Sequence, residues 1–163
     1  MCGEVRAERN VRVARCRRED LGAVAEVLRA CPEAGDWTGA ALEESLAAEP
    51  GGFLVAWESE ELAGFIVGRH AVDQGEILNV GVAPKWRRRG VGEALVRGLL
   101  GEFCADGVTQ MFLEVRASNG AAMRLYEGMG FRKVGSRVGY YREPREDAWI
   151  LEWRRGGTTR RKG

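Results

Sequence analysis

The sequence predicts a mixed α/β fold, a mixed sheet of about seven strands with helices on both faces. Two observations carry this. Short apolar runs with two-residue alternation mark strands, and apolar residues at three- and four-residue spacing mark helices. Their order is β, α, α, then a β-meander whose last strand opens a β-α-β-α-β-β series, which suits a sheet covered on both sides. The 163 residues are of the size of one domain, and neither an internal repeat nor a linker divides them.

The elements follow in order. Residues 1–10 are polar and are expected to be flexible. Val11 and Val13 alternate with Arg12 and Ala14 in a first strand. Asp20 is expected to cap a helix carrying Leu21, Val24, Leu28 and Cys31, which Pro32 ends. After a loop through Trp37, Thr38 caps a second helix over 39–48, closed by Pro50-Gly51-Gly52. Strands are expected at 53–57, 62–69 and 75–82, then a helix at 91–104, a strand at 109–115 and a helix at 120–129. A strand starts at 131–134, residues 136–146 read as an irregular loop, and a last strand covers 147–153. The basic tail, 154–163, reads as a second flexible end, with a weak contact to RNA or an acidic surface as the alternative.

Composition excludes several classes. The net charge of +1 argues against generic nucleic-acid binding. No apolar run approaches the ~20 residues that span a bilayer, and the first residues lack a signal-peptide pattern. A cytoplasmic location is therefore expected. Cys2, Cys16, Cys31 and Cys104 have no CxxC spacing, so neither a disulfide framework nor a zinc site is expected. His70 is the one histidine, near the end of an apolar strand, and reads as structural. No metal is expected.

Residues 76–130 hold the chemistry. The turn Arg87-Arg88-Arg89-Gly90-Val91-Gly92 joins a strand to a helix. First-turn amides lack internal partners and carry the positive end of the helix dipole, so a glycine-rich approach admits a pyrophosphate. Taken alone, the turn also reads as a flexible basic helix start. It is neither a P-loop nor a dinucleotide fingerprint.

With Leu113-Glu114-Val115-Arg116-Ala117-Ser118-Asn119, Leu125-Tyr126-Glu127-Gly128-Met129-Gly130-Phe131 and Tyr140-Tyr141-Arg142-Glu143-Pro144, this turn resembles the acetyl-coenzyme-A-binding core of the GCN5-related N-acetyltransferase (GNAT) superfamily. Within it, the pattern is similar to the bacterial branch acting on the N-terminal alanine of a ribosomal protein. The specific part covers residues 76–153. The N-terminal half agrees only in layout, with Asp36-Trp37-Thr38 as a looser echo.

The resemblance implies a mostly antiparallel sheet whose two central strands splay to admit acetyl-CoA. Backbone groups of Val80, Gly81 and Val82 would pair with the pantetheine arm. Gly81 would mark a bulge that opens the ladder, or else a close packing contact. Arg87, Arg88, Arg89, Gly90, Val91 and Gly92 would hold the pyrophosphate, and Asn119 would cap its helix or bond the cofactor arm.

Glu114 lies in an otherwise apolar strand, where an unpaired carboxylate is costly. Two readings stay open: a general base for the acceptor ammonium, as the resemblance implies, or a salt bridge to Arg116 or to a basic residue on a neighbouring strand. Tyr126 reads as a core tyrosine or, by resemblance, as the acid for the leaving thiolate. Trp37, Tyr140 and Tyr141 would wall the acceptor site, or serve as aromatics at loop roots. The implied partner is a protein N-terminus, a small-subunit ribosomal protein foremost, with neither a membrane nor a specific nucleic acid. Transfer to a small amine or a lysine, and non-catalytic coenzyme A binding, are the rivals.

Overall fold

A computed structural model describes residues 10–35 and 37–156. The readings of residues 1–9, Asp36 and 157–163 lie outside the described residues. The elements are β1 (Val11–Arg15), α1 (Leu21–Arg29), α2 (Gly39–Ala47), β2 (Gly51–Glu58), β3 (Glu61–Ala71), β4 (Gln74–Val82), α3 (Val91–Ala105), β5 (Gln110–Arg116), α4 (Gly120–Gly128), β6 (Arg132–Arg142) and β7 (Arg145–Arg154). All seven strands form one sheet in the order β1-β2-β3-β4-β5-β7-β6. Among the described residues only β4 and β5 run parallel, as their crossover through α3 requires.

The continuous apolar runs of β2 and β3 have a simple cause, since both faces are covered. Leu54, Ile66 and Ile77 face Leu95, Leu99 and Phe103 of α3, with Leu113 and Tyr126 in the same cluster. Phe53, Val55, Phe65 and Val67 point the other way, onto Val24, Val27 and Leu28 of α1 and Leu42 of α2. Adjacent residues on a strand alternate faces, so one apolar run feeds two cores. Among the described residues, no helix is long and apolar enough to cross a membrane.

Three local expectations change. Asp20 does not cap α1 with its side chain. Its carboxylate accepts from the Arg17 amide at 2.8 Å and closes the short turn just before the helix. Gly81 is not a bulge. The register runs unbroken from Gly64↔Val82 to Val67↔Asn79 and shifts only before Gly68↔Ile77, so Leu78 is the extra residue. A Cβ on Gly81 would stand 2.6 Å from Phe65 Cε1, so the glycine admits that ring. Finally, residues 136–146 are not an irregular loop. They fall mostly within the β6–β7 hairpin, and Tyr140 and Tyr141 sit on β6. Thr38 does cap α2, accepting from the Ala41 amide at 3.2 Å.

Candidate active site

The site begins where β4 and β5 part. Their parallel pairing covers Gln74↔Gln110 to Ile77↔Leu113 and then stops. The extra residue Leu78 comes immediately after, and a bulge there bends the strand away. Beyond it, residues 79–82 pair with β3 on one edge, while among the described residues no strand takes their other edge. A cleft of about 920 Å³ opens along that edge.

At one end of the cleft α3 starts. Gly90, at φ +81°, takes the left-handed conformation that lets the chain turn into the helix, and the amides of Val91 and Gly92 lie in the first turn. The three arginines behave differently. Arg87 donates to the Val82 carbonyl at 3.1 Å and to Glu33 at 2.5 Å, so its charge is largely used in fastening the loop after α1. Arg89 stacks on Trp86, 5.1 Å from the ring centre, and does not line the cleft. Arg88 lines the cleft and, among the described residues, has no carboxylate partner.

On the other wall β5 alternates. Met111, Leu113 and Val115 point into the α3 core, while Phe112, Glu114 and Arg116 face the α1 side and are half-buried. Glu114 is therefore not in an all-buried strand; its side chain is 21% exposed. Its salt-bridge partner is Arg137 of β6, Nε to Oε1 2.6 Å. Arg116 is not the partner. It pairs with Glu146 at 3.4 Å and lies 4.2 Å under the Tyr141 ring centre. The neighbouring Glu114 carboxylate, with burial, pushes the Tyr140 phenol up to about 12.

Tyr126 of α4 lies beneath this group, buried and edge-on to Phe131 at 5.5 Å. Burial, with Tyr141 nearby, pushes its phenol well above the usual range, so it is a neutral hydroxyl near neutral pH. Asn119 caps α4, its Oδ1 accepting from the Ala122 amide at 3.2 Å, and it lines the cleft. Trp37, Tyr140 and Tyr141 close the rim. Thus Val80, Val82, Arg87, Arg88, Gly90, Val91, Gly92, Glu114, Asn119 and Tyr126 line one cleft with the three aromatics, whereas Gly81 and Arg89 stand outside it.

Residues not singled out in the sequence complete the site. Asn79 is buried in β4 and donates to the Ala34 carbonyl at 3.1 Å, tying the loop after α1 to the cleft. A lone amide among branched residues was the available signal. Glu146 accepts from the Ser118 amide at 2.5 Å and from Arg116, fixing the approach to α4. The Ser118 bonds, then Arg116, hold its carboxyl below the ordinary value of 4.5. A lowered folded-state value gives stability that is present above the ordinary value and lost as pH falls through the folded one. Glu146→Gln is therefore expected to flatten the decline of Tm below pH 4.5, read by thermal melts across an acid series. An unchanged slope would count against this clamp.

The cleft fits a long ligand with an extended arm and a pyrophosphate. The open edge of β4 offers backbone groups along its length, and the start of α3 offers amides and Arg88 at one end. A sequence profile described as the acetyltransferase (GNAT) family matches residues 21–131. The Escherichia coli K12 protein named [Ribosomal protein bS18]-alanine N-acetyltransferase is 38% identical over 96 residues, 58% of this chain. That alignment spans 65% of the relative's length, just short of two thirds. The Mycobacterium tuberculosis protein named N-alpha-acetyltransferase RimI is 36% identical over 119 residues, 71% of this chain and 73% of the relative. The crystal structure of the E. coli ribosomal-protein-S18-alanine N-acetyltransferase superposes with TM-score 0.82 at 28% identity, covering 93% of this chain and 97% of that one.

Proposed function

The chain belongs to the acetyltransferase (GNAT) family, and from that premise we propose that it moves an acetyl group from acetyl-CoA to the N-terminal α-amine of a protein. A ribosomal protein beginning with alanine is the leading acceptor, by likeness to the named relatives. The observation that carries the mechanism is the meeting, in one cleft, of the unpaired β4 edge, Glu114 and Tyr126.

In this reading, β4 binds the cofactor arm as an added strand. An amide among residues 80–82 donates to the thioester carbonyl oxygen, where negative charge develops. Glu114 accepts a proton from the acceptor ammonium, directly or through a water. An α-amine titrates near 8, so modest help frees its lone pair. The nitrogen then bonds the carbonyl carbon and the C–S bond breaks. Tyr126 donates its hydroxyl proton to the leaving sulfur and is reprotonated by the second proton that the new amide nitrogen sheds. A thiol resembling free cysteine titrates at ~8.5, so this group needs little driving and Tyr126 contributes mainly as a hydrogen-bond donor. Trp37, Tyr140 and Tyr141 grip the acceptor near its first residues.

A panel read by mass spectrometry tests this: peptides with free α-amines, N-blocked peptides carrying lysine, and small amines, each with acetyl-CoA. Acetylation confined to α-amines is expected, alanine-first peptides foremost. Turnover on small amines or lysine alone would overturn the acceptor class. Binding of coenzyme A with no turnover on any arm would leave a non-catalytic sensor.

A further inference from the structure

The geometry points to Arg137 as a positioning residue for the proposed reaction: its guanidinium fixes Glu114 from the side away from the cofactor cleft and leaves the cleft side open for the amine. This rests on the reading of Glu114 as the base.

The arrangement is built by the β6–β7 register. Arg137 faces Ala148 and Tyr141 faces Glu146, so residues 138–140 together oppose Asp147 alone. Gly139, at φ +62°, carries the turn within this bulge, and its amide donates to Asp147 Oδ1 at 2.8 Å. In an unbroken strand residues 137 and 140 would face opposite sides of the sheet. Released from the alternation, Tyr140 turns to the face that Arg137 already occupies, and both reach Glu114.

They arrive from different sides. Tyr140 lines the main cleft with Glu114. Arg137 instead lines a second chamber of about 400 Å³ on the same face, floored by Phe112 and Ile150 and bordered by Arg69 and Glu76. Glu114 stands between the two spaces and lines both, together with Glu76 and Leu113. A glutamate has three rotatable bonds, and on this open face no core packing holds its end. The guanidinium at 2.6 Å is what restricts it.

Fold stability does not explain the pair. The Arg137 side chain is 56% exposed on an edge strand, and exposed ion pairs contribute little. Orientation of a reacting group does depend on such a contact, since small misplacements cost large factors in rate.

The test uses the full chain, acetyl-CoA and an α-amine peptide, with Arg137→Gln, Arg137→Lys, Glu114→Gln and the Arg137→Gln/Glu114→Gln double variant. Arg137→Gln is expected to lower kcat by about 10- to 100-fold, leaving the KM for acetyl-CoA and the Tm unchanged. Arg137→Lys should recover most of the rate, because a cation again meets the carboxylate. On the Glu114→Gln background, Arg137→Gln should change nothing further, because coupled residues are not additive. Wild-type kcat in Arg137→Gln, or an undiminished further loss on that background, would overturn the proposal while the base reading stands. Full activity in Glu114→Gln would instead remove the base reading, and this proposal with it.

Discussion

Glu114→Gln is expected to lower kcat for an α-amine acceptor by about 10²- to 10⁴-fold, the usual contribution of a positioned general base. The substitution keeps the shape of the side chain and removes its charge, and with it the capacity to take a proton and the ion pair with Arg137. The KM for acetyl-CoA should hold, because β4 and the start of α3, which take the cofactor in the proposed reading, form the other wall. A fall in kcat and kcat/KM together is the signature of an interaction made in the transition state. Two controls narrow the reading. The loss should lessen as pH rises above the acceptor amine's own value, because free amine then arrives without help. Intact folding should accompany it, since Glu114 lies on a half-open face and its pairing with Arg137 is exposed on one side. Wild-type kcat at neutral pH would remove Glu114 from the mechanism.

Gly81→Ala is expected to be a damaging one-carbon change beside the cleft. Its new Cβ would stand 2.6 Å from Cε1 of Phe65 and within 3.3 Å of two further ring carbons. Phe65 is fully buried and packs on Phe53 at 6.3 Å, so the ring has no free space to enter. Overpacking of this kind costs about 1–3 kcal/mol, and each kcal/mol lowers Tm by about 2–4 °C in a domain of this size. The strand that must shift is β4, whose open edge takes the cofactor arm in the proposed reading. Acetyl-CoA affinity should therefore fall along with Tm, measured by calorimetry and thermal melts. An unchanged Tm would show that Phe65 yields easily and that the glycine has another reason.

The central elements were legible in the sequence because they follow two-layer physics. Strands covered on both faces read as apolar runs, and α3 reads as an apolar helix after a glycine-rich turn. Glu114 was legible as a carboxylate in an otherwise apolar strand, while Asn119 and Tyr126 were marked by the resemblance of their motifs to the family. The β6–β7 hairpin was not. Its outer strand is nearly all exposed, so it needs no apolar alternation, and Gly135, Ser136 and Gly139 resemble loop punctuation. Arg137 was missed for that reason: its pairing with Glu114 depends on the hairpin's register, which no local pattern records. Arg87 shows the converse. Its motif suggested a free phosphate ligand, yet Glu33, 54 residues away, claims much of its charge.

The bulge at residues 138–140 has a second consequence, for association between copies. β6 is the edge of a seven-stranded sheet and exposes Val134 and Val138, an open template for another chain's strand. Arg132, Lys133, Arg137 and Arg142 place cations along it, and the bulge breaks the register that an incoming strand would need. Straightening this strand by deleting both Val138 and Gly139 would thus do more than turn Tyr140 from Glu114. It would also leave a longer, flatter edge, and the damaged enzyme would be the one that aggregates.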